Sequence, residues 1–382
     1  MSQSFQIALL EPFYGGSHRA WADGLKRHSK HRIEIFGLPD RYWKWRMHGA
    51  AVTLAEQYLE CETDFDLIIA SDMLHLPTFL ALVRCKAAST PVAIYFHENQ
   101  ITYPWSPDDE AAERDQKHYG YINYLSALAS DKCYFNSEYH KRDFLETLPE
   151  FLKCFPDYRC LDTVARITDR SETLELALDL RRFDQFKSER CALRMTLDIK
   201  RPLLLWNHRW EYDKNPRDFF AALYLLKESG VSFQLAVLGE EFKRTPPEFA
   251  EARERLAQEI VHWGFVDSFA EYAAWCWAAD ILPVTSNQDF FGMSVVEAVY
   301  CGCHPLLPNR LNYPYLFTGC DEYELFLYRD QYDLVEKLAN FIEDTSNPKL
   351  SLLAEQYDWS VRIGSYDRYF ESLVSVQGGE EK

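Results

Sequence analysis

Residues 281–307, ILPVTSNQDFFGMSVVEAVYCGCHPLL, decide the fold of this chain. The run from Ile281 to Thr285 is built of Ile, Leu, Val and Thr, which suit a buried parallel strand. A polar loop, Ser286 to Asp289, leads into Phe290-Phe291-Gly292. From Met293 the apolar spacing turns helical and continues to Tyr300. Gly302 ends that helix, because glycine enters the left-handed C′ position without a Cβ penalty. His304 to Leu307 begins another strand. The stretch is a βαβ unit with one acid in its loop, Asp289, and another on the first turns of its helix, Glu297. A helix N-terminus offers N–H groups and partial positive charge to a phosphate. A carboxylate one to two turns in can accept hydrogen bonds from ribose hydroxyls. The competing reading is a solvated helix acid and an ordinary loop acid, and spacing alone leaves both open.

Working outward, the totals set bounds. A length of 382 residues suggests two domains, and 47% hydrophobic with 15% aromatic residues is ample for packed cores. No run of eighteen apolar residues occurs, so no membrane partner is expected. The N-terminal MSQSFQIALLEPFYGG lacks a basic region followed by a signal core and reads as a first strand. Ten cysteines without regular spacing suggest buried thiols in a reducing cytoplasm. Cys301-Gly-Cys303 and Cys154…Cys160 match no zinc spacing, so no metal is expected. The net charge of −18 argues against a general nucleic-acid coat protein. Within residues 19–48, however, eight Arg or Lys stand against three acids.

From the N-terminus, Phe5 to Leu10 is an apolar strand followed by Gly15-Gly16-Ser17-His18 and a helical pattern from about Arg19 to His28. Strand, glycine pair, helix lets backbone N–H groups approach a phosphate or sugar closely, with Ser17 as N-cap. The alternative is a tight turn and nothing more. Arg32 to Gly37 is a second strand. In Asp40-Arg-Tyr-Trp-Lys-Trp-Arg-Met-His48 cations alternate with aromatics, including Trp43, Lys44, Trp45 and Arg46. Such a surface can stack on bases and pair with phosphates; the alternative is an amphipathic loop with core tryptophans. Asp64-Phe-Asp66 opens the apolar strand Phe65 to Ala70 and reads as a strand start. Val92 to Phe96 is a strand ended by His97-Glu98-Asn99-Gln100, where ligands of open α/β sheets bind. A long helix from about Ala111 to Ser130 carries His118. Lys132 to Phe135 is a strand and Glu138 opens a helix. Residues 150–172 read as an irregular insertion, and Leu174 to Leu180 ends the first domain.

The second half restarts from a strand, Leu203 to Trp206, followed by Asn207-His-Arg-Trp-Glu-Tyr-Asp-Lys-Asn-Pro216 and a helix to Gly230 with proline near its start. Arg209 and Lys214 therefore stand in a strand-to-helix loop with a helix N-terminus behind them. Guanidinium fork, ammonium point charge and helix dipole together suit a diphosphate. Phe233 to Gly239 is a strand, and Ile260 to Gly264 is another, closed by Phe265-Val266, whose apolar edge could face a base. Three helices finish the chain. The boundaries read 1–182, 183–357 and 358–382, the last being a helix with aromatics that turn towards the first domain and a polar, disordered tail.

Arg209 and Lys214 followed by Asp289-x7-Glu297 resemble the retaining GT-B glycosyltransferases, whose donor domain carries an Arg, a Lys and a Glu-x7-Glu motif. The chain is closer still to the tRNA-queuosine α-mannosyltransferase group. EPFYGGSH (11–18), KWRMH (44–48), YFHENQITYP (95–104), ERDQKHYGYIN (113–123), FNSEY (135–139), HRWEYDKNP (208–216), VLGE (237–240) and FFGMSVVEAVYCGC (290–303) carry that resemblance across nearly the whole sequence. It implies an α/β fold of two Rossmann-like domains facing a central cleft, GDP-mannose as donor substrate, no cofactor or metal, and the cyclopentenediol of queuosine in a tRNA anticodon, tRNA-Asp, as acceptor. Arg209 and Lys214 would bind the diphosphate and Glu297 the ribose hydroxyls. Asp289, Phe290, Phe291 and Gly292 would line the sugar pocket, with Gly239 and Val266 on the donor side. Gly15 and Gly16 would approach the phosphates, and His97 would hold a hydroxyl of the transferred sugar. Trp43, Lys44, Trp45, Arg46, Glu98, Asn99 and His118 would face the acceptor.

The first acid of the family motif is usually Glu. Asp289 is one methylene shorter, a difference a loop shift of about 1.5 Å would make up. Two other functions fit the residues: transfer from another nucleotide sugar or to a non-RNA acceptor, and a non-catalytic nucleotide-sugar or RNA-binding protein.

Overall fold

The computed structural model describes residues 4–105, 112–239, 245–343 and 350–377. The expected helix start at Ala111, Glu240 after its strand and the tail beyond 377 lie outside these. The chain divides into two compact units, residues 1–178 with 359–382, and residues 179–358. The sequence reading places the breaks at 182/183 and 357/358.

The first unit alternates strand and helix: β1 (Gln6–Tyr14), α1 (Gly16–His28), β2 (Arg32–Pro39), α2 (Trp43–Glu60), β3 (Leu67–Ser71), α3 (Leu76–Ala87), β4 (Val92–Phe96), α4 (Ala112–Ala129), β5 (Lys132–Phe135), α5 (Glu138–Lys153), α6 (Asp162–Arg170) and β6 (Ser171–Thr173). Its sheet is parallel, in the order β2-β1-β3-β4-β5-β6. β3 and β4 are buried at every residue, as strands covered on both faces must be. Chain direction reverses its order of travel between β1 and β3. That is the switch point of an open α/β sheet, where a crevice forms beyond the strand ends.

The second unit holds α7 (Glu189–Arg194), β7 (Leu203–Trp206), α8 (Pro216–Glu228), β8 (Gln234–Leu238), α9 (Glu248–Arg255), β9 (Ile260–Gly264), α10 (Phe269–Ala278), β10 (Ile281–Pro283), α11 (Met293–Tyr300), β11 (His304–Pro308), β12 (Leu327–Tyr328), α12 (Gln331–Glu343) and α13 (Ser351–Ala354). Its sheet is also parallel, in the order β12-β11-β10-β7-β8-β9, with the switch point between β7 and β10. Each unit is thus Rossmann-like, as the sequence implies. The last helix, α14 (Trp359–Gln377), belongs to the first unit. Tyr366 holds it there: its hydroxyl donates to the Glu175 carbonyl at 2.9 Å, and the Trp21 indole N–H donates to it at 3.2 Å.

Several local expectations are corrected. α1 starts at Gly16 with Gly15 as N-cap, so Ser17 sits inside the first turn and caps nothing. Residues 150–172 are not irregular, because α5 runs to Lys153 and α6 and β6 follow. The loop expected at 40–48 is largely the start of α2. That helix buries Met47, Ala50, Ala51, Leu54, Ala55 and Tyr58 at helical spacing, a face half made of alanines and so faint in the sequence. Asp66 accepts from the Gln6 N–H at 2.7 Å, tying β3 to β1 as a strand start should.

At α11 the expected ending is present in full. Gly302 has φ +92, its N–H donates to the Val299 carbonyl at 2.9 Å, and Cys303 N–H donates to the Ala298 carbonyl at 3.0 Å. These two bonds are the Schellman pair. No described helix is long and apolar enough to cross a membrane.

Candidate active site

In the second unit the loops beyond β7 and β10 meet at the switch point. α8 opens at Pro216, with Asn215 as N-cap in the left-handed region (φ 54) and its side chain accepting from the Asp218 N–H. This tight entry turns Lys214 inward, where its side chain is only 12% exposed. Lys214 Nζ donates to the Gln288 carbonyl at 2.8 Å and lies 3.2 Å from Asp213 Oδ2 and 3.8 Å from Asp289 Oδ2. Burial opposes its charge, but Asp289 and then Asp213 outweigh it and hold the ammonium above its ordinary pKa. The two loops are therefore clamped by one cation between two carboxylates. Asp289 also accepts from the Tyr313 hydroxyl at 3.1 Å.

Glu297, on α11, accepts from the Tyr272 hydroxyl at 2.7 Å. Burial pushes its carboxyl up to about 7, against the opposing pull of Tyr272 and Arg182. Asn207 Nδ2 donates to the Ser294 carbonyl at 2.8 Å and reaches the Tyr272 hydroxyl at 3.4 Å. Ser294 Oγ is 2.9 Å from His208 Nδ1, leaving His208 Nε2 buried without a hydrogen-bond partner. Burial, then Lys214, keeps His208 neutral, with its pKa lowered to about 3. Hydrogen bonds thus run from Glu297 through Tyr272, Asn207 and Ser294 to His208, which Lys214 reaches only through its charge. Arg209 stands on the same β7–α8 loop, 57% exposed, with its guanidinium 3.1 Å from Glu211. α11 opens on Gly292, at φ +102, and no side chain caps it.

Other expected donor residues have different surroundings. Phe290 and Phe291 are 5% and 3% exposed, and Phe291 packs edge-on against Tyr357 at 5.2 Å. A Cβ on Gly292 would come 3.2 Å from Leu316, and one on Gly239 would come 2.3 Å from the His208 carbonyl. Gly239, at φ +126, is therefore required for the close passage of β8 beneath the β7–α8 loop. Val266 is half-buried in the loop after β9, the edge strand.

In the first unit a second cluster sits at the ends of β1, β3 and β4. Glu11 is fully buried and accepts from Ser71 Oγ and from the Phe13 N–H, both at 3.0 Å, while its other oxygen is 3.1 Å from His18 Nδ1. Burial opposes charge on His18, yet Glu11, then Asp72 and Glu98, raise its pKa to about 9. The His97 N–H donates to Asp72 Oδ1 and Asn136 donates to the His97 carbonyl, both at 2.8 Å. Burial, then His18, lowers the His97 pKa well below its ordinary value, and its Nε2 is buried without a partner. Among the described residues, Glu11, His18 and His97 are the group whose ligand atoms gather as a metal site would require, within 4.8 Å. Within this group Glu11 Oε2 pairs with His18 Nδ1 at 3.1 Å beside the His97 ring. Gly15 and Gly16 lie at the start of α1, nearby in sequence to both Glu11 and His18. A Cβ on Gly15 would overlap Asp40, whereas Gly16 at φ +50 faces open space.

On the expected acceptor side, Asn99 is consumed by the fold. It bonds Thr102 and His140 through Nδ2 and takes the Ile101 and Thr102 N–H groups on Oδ1. Glu98 accepts from Gln100 at 2.9 Å. Trp43 packs with Met73, Tyr119 and Trp105, and Lys44 Nζ lies 4.6 Å over the Trp105 ring. Trp45 is 63% and Tyr42 74% exposed. Arg46 Nε donates to the Pro39 carbonyl at 3.1 Å, and His118 pairs with His48. Sequence reading missed Glu11, Asp72, Asn207, His208, Asp213 and Tyr272. Only Glu11, a lone acid inside an apolar strand, carried a local signal.

The family described as tRNA-queuosine alpha-mannosyltransferase N-terminal matches residues 6–178, and Glycosyl transferases group 1 matches residues 195–355. A relative from Drosophila melanogaster, the tRNA-queuosine alpha-mannosyltransferase, is 34% identical over 339 residues, covering 88% of this chain and 86% of that protein. This chain belongs to the tRNA-queuosine alpha-mannosyltransferase family. It is a glycosyltransferase of the GT-B fold. Among solved structures, sucrose-phosphate synthase from Thermosynechococcus elongatus is similar with a TM-score of 0.69 at 13% identity, over 97% of this chain and 100% of that one. Anabaena HepE in complex with UDP and glucose has a TM-score of 0.64 at 15% identity, over 96% and 100%. At such identities these two speak for the fold alone. The two matched regions of the family member fall one in each unit, so the clusters at the two switch points lie in the separately matched halves.

Proposed function

We propose that this family member transfers mannose from GDP-mannose to the cyclopentenediol of queuosine at the wobble position of a tRNA, tRNA-Asp, with retention and without a metal, in the cytoplasm. The observation that carries the donor half is the Lys214 ammonium seated between Asp213 and Asp289 at the β7/β10 switch point, with Glu297 on the helix that follows the β10 loop. The relative's name supports queuosine tRNA as acceptor.

In the reaction the bond between the anomeric carbon and the diphosphate oxygen breaks. The leaving diphosphate gains negative charge, which Lys214, Arg209 and the uncapped start of α11 stabilise more strongly than the ground state. The acceptor hydroxyl oxygen bonds to the anomeric carbon on the face being vacated, and its proton passes to the departing phosphate oxygen. Glu297, as carboxylate, accepts from the ribose hydroxyls. His97, held neutral, meets a sugar hydroxyl through Nε2.

The α2 start, with Trp45 and Tyr42 exposed beside Lys44 and Arg46, supplies RNA affinity by stacking and charge. Neutralising Lys44 and Arg46 together is expected to weaken tRNA binding and to reduce the slope of log Kd against log salt by about one to two units. An unchanged slope would remove this surface from the RNA site. A second reading, with another nucleotide sugar or a non-RNA acceptor, draws on the net charge of −18 and the shorter Asp289.

Mass spectrometry of nucleosides decides between them. After incubation of queuosine tRNA with the protein and separate GDP- and UDP-sugars, queuosine is expected to gain one hexose with GDP-mannose. Transfer only from another donor, or none to queuosine, would overturn the proposal.

A further inference from the structure

We propose that His18, fixed by Glu11, is a positioning residue that sets the orientation of His97 and the presentation of its Nε2 to a ligand hydroxyl. This rests on the reading of His97 given above and adds to it two residues with no role so far.

The geometry is specific. Glu11 is fully buried on β1, and both of its oxygens are engaged: Oε1 by Ser71 Oγ and the Phe13 N–H, Oε2 by His18 Nδ1. With three partner atoms locking it, the carboxylate cannot swing, so His18, 7% exposed, has one ring orientation. The His18 and His97 ring centroids are 4.3 Å apart at 45°. Trp21 closes a second side of His97 at 4.7 Å, edge-on, and Tyr95 a third at 4.8 Å. The backbone of His97 is held from Asp72 and Asn136. A ring walled on three sides and tethered at both backbone polar groups retains a single rotamer, with one buried nitrogen left for a ligand.

Electrostatics acts in the same sense. The charged and titratable groups facing His18 are Glu11 from β1, Asp72 after β3 and Glu98 after β4; those facing His97 are His18 and His140 from α5. An imidazolium at His18 disfavours a second one at His97, which keeps an acceptor lone pair there.

The test combines kinetics with imidazole 15N NMR on the full-length protein, His18→Gln and Glu11→Gln. In the unmodified protein His18 is expected to show two protonated nitrogens through pH 8, and His97 one bare nitrogen at pH 6. His18→Gln should lower kcat for transfer from GDP-mannose to queuosine tRNA by about tenfold to a hundredfold. The donor Kd should rise by only about threefold to tenfold, since His97 meets one hydroxyl of the donor sugar while the proposed diphosphate and ribose contacts belong to the other unit. Glu11→Gln, which keeps the shape and removes the charge, should make His18 neutral by pH 8 and lower kcat comparably. Retention of half the kcat in His18→Gln, a neutral His18 at pH 7 in the unmodified protein, or zinc bound at His18 would each overturn the proposal. If the unmodified protein transfers no mannose, the functional reading fails. The positioning role is then still decided by whether the His97 resonances shift or multiply in His18→Gln; unmoved resonances would overturn it.

Discussion

Lys214→Ala is expected to lower kcat/KM for GDP-mannose by about 10³-fold, near 4 kcal/mol, the loss of one preorganised charge at a developing anion. The same change is expected to destabilise the protein. Lys214 is the cation between Asp213, 1% exposed, and Asp289, 18% exposed. Removing it leaves two carboxylates side by side in a dry loop, a loss of roughly 3 kcal/mol by analogy with broken buried pairs. In a unit of this size that corresponds to a fall in Tm of about 6–12 °C. The two effects separate in a double variant. Lys214→Ala with Asp213→Asn removes the stranded charge and should recover much of the Tm without recovering turnover. Retention of more than a tenth of the parent kcat/KM in Lys214→Ala would exclude the ammonium from the leaving-group site.

The second large effect concerns Glu297. Its carboxyl is raised to about 7 by burial, while two ribose hydroxyls require the carboxylate as acceptor. Free protein below pH 7 carries this group protonated, so donor binding must first remove the proton. Donor affinity therefore falls as pH falls through 7 and is fully present above it. Glu297→Gln cannot accept two hydroxyl protons with full charge. It should lose about 10²-fold in donor affinity at pH 8 and be insensitive to pH, since the titrating group is gone.

How much of this was legible in the sequence follows from what each residue needs. The strands Leu67–Ser71, Val92–Phe96 and Leu203–Trp206 are continuous apolar runs, because both faces of a parallel sheet are covered. They announce the architecture by themselves. The α11 ending at Gly302 was equally plain, since a left-handed residue after an apolar helix calls for glycine. Helices α2 and α3 were not, because alanine marks a core face weakly and a histidine, His75, caps α3 in place of the usual Ser or Asp. Lys214, Asp289 and Glu297 could be picked out by motif. Their partners could not, because Asp213, Tyr272, Asn207 and His208 come together only when β7, α10 and α11 are stacked. Phe290 and Phe291 belong to the same motif and are buried, and sequence does not tell which side of a loop a ring will face.

Calorimetric titration of GDP-mannose at pH 8 and pH 6, with no acceptor present, tests the donor site directly, because the diphosphate diester itself does not titrate in that range. A free-protein pKa of about 7 at Glu297 makes the donor Kd rise about tenfold between the two, and Glu297→Gln should abolish the difference. Equal Kd values in the unmodified protein, or an undiminished tenfold change in Glu297→Gln, would contradict the assignment of the nucleotide to the β7/β10 switch point.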